Sequence, residues 1–117
     1  MGLFGFGKKR PQTPADFSFQ VKDIFSIKGQ GLVVTGQVTA GEVACGSTVT
    51  CVTVGGDRFP CVIKQIEQPR PGGARGEFIH PDRASADGPF QGSYAFWIAD
   101  RQPGDFHPGD RLISENG

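Results

Sequence analysis

From Phe17 to Lys28 the chain alternates apolar and polar residues with period two. Phe17, Phe19, Val21, Phe25 and Ile27 share one phase, and Ser18, Gln20, Lys22, Ser26 and Lys28 share the other. That period is the signature of a half-buried strand. It puts Phe25 and Ile27 on the core side. The phases swap at Asp23-Ile24, which predicts either a β-bulge or a carboxylate set among apolar neighbours for a reason. A tight Lys28-Gly29-Gln30-Gly31 connection follows, and then a β-branched run over residues 31–39 with Leu32, Val34 and Val38 in one phase. The two runs read as a hairpin.

Ala40-Gly41 predicts a second turn, and Val43, Ala44 and Cys45 lead to Gly46. Residues 47–54 (STVTCVTV) predict a third strand, ended by Gly55-Gly56-Asp57, and residues 61–67 (CVIKQIE) a fourth. Residues 68–92 have no sustained period, are rich in glycine and proline, and read as a long loop of functional or mobile character. Residues 93–99 (SYAFWIA) return to strand character with aromatics in both phases, which predicts a strand covered on both sides. The run Asp105–Asp110 is a turn before a closing strand, Arg111-Leu112-Ile113. Strands spaced about 8–12 residues apart, with glycine-rich turns, predict an all-β barrel or sandwich.

Length and composition narrow this reading. A chain of 117 residues with 18 glycines and 9 prolines suits one β domain over residues 17–117, with no room for long helices. Residues 1–16 carry Lys8-Lys9-Arg10 between glycines and prolines and read as a flexible tail. Leu3, Phe4 and Phe6 beside those basic residues offer weak membrane-surface contact as the alternative. Twelve basic and twelve acidic side chains cancel, which argues against coating nucleic acid through phosphates alone while leaving room for a local site. No apolar run approaches the roughly 18 residues of a membrane span, and the expected compartment is the cytoplasm.

Candidate chemistry is sparse. Gly2 and Gly7-Lys8 mimic part of a phosphate-binding loop. Lys9 stands where Ser or Thr is needed, no strand can precede residue 2, and Pro11 and Pro14 spoil the following helix. Cys45, Cys51 and Cys61 are odd in number and lack the short spacings of zinc ligands, so they read as buried thiols rather than a metal or disulfide framework. Nothing ties His80 or His107 to a cysteine as a catalytic base. No cofactor, metal or catalytic residue is expected.

The stretch VKDIFSIKGQGLVVTGQVTAGEVACGSTVTCV resembles the second domain of elongation factor Tu and its translational-GTPase relatives. The resemblance rests on the Asp-x-Phe-x-Ile strand, the Gly-x-Gly turn, Val-Val-Thr-Gly, and the Gly41–Gly46 pattern. It continues through CVIKQIEQPR to Pro108-Gly109-Asp110-Arg111-Leu112. It implies a closed antiparallel β-barrel with no GTP hydrolysis, since the phosphate-binding loop and NKxD motif of the GTPase domain are missing. In that family the barrel contacts the aminoacylated end of transfer RNA. By resemblance, Asp23, Phe25 and Ile27 match the pocket strand, and Thr35 matches the threonine of Val-Val-Thr-Gly. Glu67 and Arg70 match an acidic residue and an arginine three positions later. Gln30 stands where the family has an arginine. Read from the residues alone, Asp23 is a turn or bulge carboxylate, Glu67 and Arg70 are solvated charges, and Tyr94 and Trp97 are core and loop anchors. The implied function is a non-catalytic binding module for RNA, the ribosome or a GTPase partner. The alternative is a protein-interaction module using the 68–92 loop with Phe78 and Phe90.

Overall fold

The computed structural model of the chain describes residues 17–27, 31–70, 72–74 and 76–114. The tail expected over residues 1–16 and the turn residues Lys28, Gly29 and Gln30 lie outside them. Nine strands are described: β1 (Ser18–Ile27), β2 (Gly31–Ala40), β3 (Glu42–Ala44), β4 (Thr48–Val52), β5 (Arg58–Pro69), β6 (Phe78–Ile79), β7 (Arg83–Ser85), β8 (Ser93–Ala99) and β9 (Arg111–Ser114). A short helical turn spans Pro89–Gly92, and a 3-10 turn spans Pro103–Asp105.

Six strands run antiparallel in the order β4–β9–β1–β2–β8–β5, and β5 pairs back onto β4. The sheet therefore closes on itself as a β-barrel, which removes the unpaired edges an open sheet would expose. Inside lie Phe19, Val21, Val34, Val49, Ile63, Ile66, Phe96 and Leu112, all essentially inaccessible. Phe19 and Phe96 form the aromatic centre, with ring centroids 4.3 Å apart. A two-stranded ribbon, β3 with β7, adds Val43 and Ala84 to this core.

The phase swap in β1 is a bulge. Pairing with β2 slips between Val21, opposite Gly36, and Asp23, opposite Thr35, so Lys22 is the extra residue. Before the bulge Phe17, Phe19 and Val21 point inward; after it Ile24 packs against the core. Phe25 and Ile27, placed in the core by periodicity, are instead 51% and 38% exposed. One inserted residue flips every later side chain to the other face. Gly36 allows the sharp approach, because a Cβ there would collide with the carbonyl of Gln20.

Within 68–92 the described residues form short strands where a long loop was expected. β5 runs on to Pro69, β6 pairs with its last two residues, and β7 pairs with β3. Such two- and three-residue strands are too short to leave a periodic trace in sequence. On β8, Tyr94, Phe96 and Ile98 are buried while Ala95 and Trp97 are half-buried on the outer face. Before the last strand, buried Asp110 accepts hydrogen bonds from the amides of Val54 (3.0 Å) and His107 (2.8 Å). The Asp110 carbonyl accepts from the Val21 amide at 2.9 Å, tying this turn to the bulged strand.

Candidate binding face

The register brings residues distant in sequence into rows across the outside of β1, β2, β8 and β5. Asp23 pairs with Thr35, Thr35 with Ala95, and Ala95 with Glu67. The next row along is Phe25, Val33, Trp97 and Gln65. At about 4.8 Å between strands, each row is roughly 14 Å wide. Of the six residues singled out from sequence, Asp23, Thr35 and Glu67 thus share one row. Phe25 and Ile27 extend from it along β1. Arg70 is exposed just past the end of β5, where its amide donates to the Glu77 carbonyl at 2.9 Å.

Above the first row lies a shallow cleft of about 220 Å³, lined by Thr35, Glu67, Gln68, Pro69, Phe78, Ser93, Tyr94 and Ala95. Its floor is strand surface and its side wall is Phe78, 51% exposed on β6. Tyr94 is held under this edge because its hydroxyl accepts a hydrogen bond from the Ser85 amide at 3.3 Å. Gln68 is almost fully buried, and its side chain makes a long 3.5 Å contact from Nε2 to the Pro69 carbonyl.

Glu67 is the electrostatic centre of the face. Its Oε1 accepts from the Trp97 indole Nε1–H at 3.2 Å and lies 3.4 Å from Nε2 of His80. Among the described residues its second oxygen has no partner. This constellation can accept hydrogen bonds from a ligand and pack a flat group against Phe78 and Pro69. Asp23 is exposed and sits directly beside the bulge, one of the two places its type suggested, and its carboxylate receives no backbone hydrogen bond among the described residues. Sequence reasoning missed His80 as a neighbour of Glu67. The two are thirteen positions apart in a stretch without period, and only the β5–β6 pairing aligns them.

The cysteines sit elsewhere. Cys51 and Cys61 are buried, and Cys45, expected to be buried as well, is half-buried with its thiol donating to the Lys64 carbonyl at 3.3 Å. Burial pushes the Cys61 thiol up to about 12, and burial together with nearby Asp110 does the same to Cys51. Both are neutral thiols at ordinary pH, poor nucleophiles and poor metal ligands. Among the described residues, no group of three or more His, Cys, Asp or Glu side chains is arranged to hold a metal ion, and no helix is long and apolar enough to cross a membrane.

With this geometry in view, the fold can be classed. It is a closed antiparallel β-barrel, the architecture that the resemblance to domain 2 of elongation factor Tu implied. Translation elongation factor SelB from Methanococcus maripaludis, solved in its apo form, matches 95% of this chain with a TM-score of 0.68 at 20% sequence identity. The chain spans 21% of that protein's length. No protein-family model matches the chain.

Proposed function

We propose that this chain is a non-catalytic, translation-linked binding module of the cytoplasm that grips the end of a single-stranded RNA in the cleft beside Glu67. The observation that carries the reading is the convergence of Thr35 and Glu67 on one cleft, with Asp23 on the same strand-to-strand row. The shared barrel fold with a translation elongation factor supports it. In this reading a base packs against Phe78 and Pro69, as bases do on aromatic side chains in single-strand binders. The Glu67 carboxylate accepts from a base amine or a ribose hydroxyl. Arg70 pairs with a phosphate. Asp23, Phe25 and Ile27 extend the contact along β1 toward the ribosome or a GTPase partner.

Trp97 is the sole tryptophan and bonds Glu67 directly, so its fluorescence reports the cleft. Titration with a short single-stranded RNA bearing a free 3′ hydroxyl should give a saturable change that weakens with salt. Glu67→Gln should remove most of the binding, and Arg70→Ala should weaken it and reduce its salt dependence. Undetectable or salt-insensitive binding, to this RNA and to transfer RNA and ribosomes alike, would refute the reading.

A second reading is a protein-interaction module acting through residues 68–92. Its support is Phe90, 49% exposed and held with Gln91 at positive φ (58° and 60°). The Gln91 carbonyl is clamped by Gln37 Nε2 at 2.7 Å. Left-handed backbone at two successive non-glycine residues costs about 1–2 kcal/mol each, an outlay that a solvent-facing phenylalanine does not repay within the chain. Under this reading, a partner recovered with the wild type is lost on Phe90→Ser while RNA binding is absent.

A further inference from the structure

We infer that His80 is an intramolecular occupant of the cleft's acceptor: it holds the Glu67 carboxylate that a ligand must use, and β6 is a displaceable cover. The inference deepens the RNA-end reading and rests on it for the ligand. The contact between cover and carboxylate can be tested without any ligand.

Two groups meet Glu67 Oε1, the Trp97 indole N–H as a hydrogen-bond donor at 3.2 Å and His80 Nε2 in proximity at 3.4 Å, and they differ in how they are held. Trp97 sits in the middle of β8, paired on one side with Val33 of β2 and on the other with Gln65 of β5. Its indole is part of the barrel wall. His80 arrives from outside the ring, one residue beyond a strand of two residues that pairs only with Gln68 and Pro69. Its side chain is 49% exposed and that of Glu67 is 23% exposed. A solvated pair at 3.4 Å is a weak tether. Besides the two-residue ladder, the segment is anchored at its ends by the Arg70 amide on the Glu77 carbonyl (2.9 Å) and the Cys45 amide on the Asp82 carbonyl (2.8 Å), so the part free to yield is the short stretch between them.

The same strand carries Phe78, which walls the cleft. Releasing His80 from Glu67 therefore loosens the tether of the segment that carries the wall. A ligand that donates to Glu67 competes with the imidazole for the carboxylate, and the cost of that displacement is subtracted from its affinity. The predicted sign follows. Removing His80 should improve binding of such a ligand, whereas removing a residue that touches the ligand should impair it.

The test has two stages. Without ligand, the Trp97 indole N–H resonance and the acrylamide quenching of Trp97 are compared in wild type, His80→Ala and His80→Gln. His80→Ala should shift the indole resonance and raise quenching while leaving the amides of β1, β4 and β9 in place. His80→Gln, which can still donate to Glu67, should stay near wild type. An unchanged indole and unchanged quenching in His80→Ala would overturn the cover, whatever the ligand.

With the single-stranded RNA as probe, His80→Ala should bind roughly two- to fivefold tighter, the range an exposed ion pair can impose. His80→Gln should return affinity toward wild type. Weaker binding by His80→Ala would make the imidazole a ligand contact and overturn the inference. If no variant binds RNA, the proposed function fails, and the ligand-free stage still decides whether His80 occupies Glu67.

Discussion

Asp110 should contribute more to barrel stability than any other single carboxylate here, and the size of its contribution can be worked out from its bonds. The side chain is fully buried, with Oδ1 accepting from the Val54 amide and Oδ2 from the His107 amide. Hydrogen bonds to a charged acceptor contribute about 1.5–3 kcal/mol each. Asp110→Ala removes both and leaves two amides to be rehydrated. The adjoining cleft of about 430 Å³, lined by Thr53, Val54, His107 and Asp110 among others, gives water access to them. The loss should therefore fall near the low end of the pairwise sum, about 3 kcal/mol. For a domain of this size that corresponds to a fall in Tm of roughly 12 °C. Asp110→Asn keeps one oxygen and should lose about half as much. Urea unfolding followed by Trp97 fluorescence and by far-ultraviolet circular dichroism measures both, with m unchanged if the folded state is intact. A loss below about 1 kcal/mol for Asp110→Ala, or equal losses for Ala and Asn, would refute the two-amide account.

Two further outcomes test the fold and the thiols. Because the bulge turns Phe25 outward and Ile24 inward, Phe25→Thr should change stability by no more than about 0.5 kcal/mol, while Ile24→Ala should cost about 1–2 kcal/mol, less than a fully buried site; the reverse ranking in urea unfolding would put the bulge elsewhere. Cys51 and Cys61 have thiols raised from 9.0 to about 12 in the folded protein, so above pH 9 the unfolded chain releases protons that the folded chain retains, and stability falls as pH rises. Between pH 8 and pH 10 this amounts to about 1 kcal/mol per thiol, and a Cys51→Ala/Cys61→Ala variant should show a shallower alkaline slope than wild type in paired unfolding curves.

What the sequence discloses about this barrel follows from what period two can carry. Regular ladders such as Phe17–Val21 or Thr48–Val52 announce themselves, because a face that packs on a core must be apolar at every second residue. A bulge is one residue long and leaves only a broken alternation at Asp23-Ile24, so the phase of everything after it is ambiguous until pairing is seen. That ambiguity is why Phe25 and Ile27 read as core by period and as binding strand by resemblance. The resemblance also singled out residues 23, 35 and 67 together, which no local pattern could do: their juxtaposition depends on three successive registers, β1 on β2, β2 on β8 and β8 on β5.

His80 was beyond both kinds of reading. β6 is two residues long, too short for a period, and the motifs that carry the resemblance do not include it, so neither pattern nor resemblance assigns His80 a neighbour. It reaches Glu67 only because Gln68 and Pro69 pair with Ile79 and Phe78, bringing the chain back on itself beside the carboxylate. A residue from a stretch without period in this way comes to lie 3.4 Å from the carboxylate that the resemblance singled out. On the proposed reading, a ligand that uses the Glu67 carboxylate therefore has to displace His80, and its affinity is lowered by the cost of doing so.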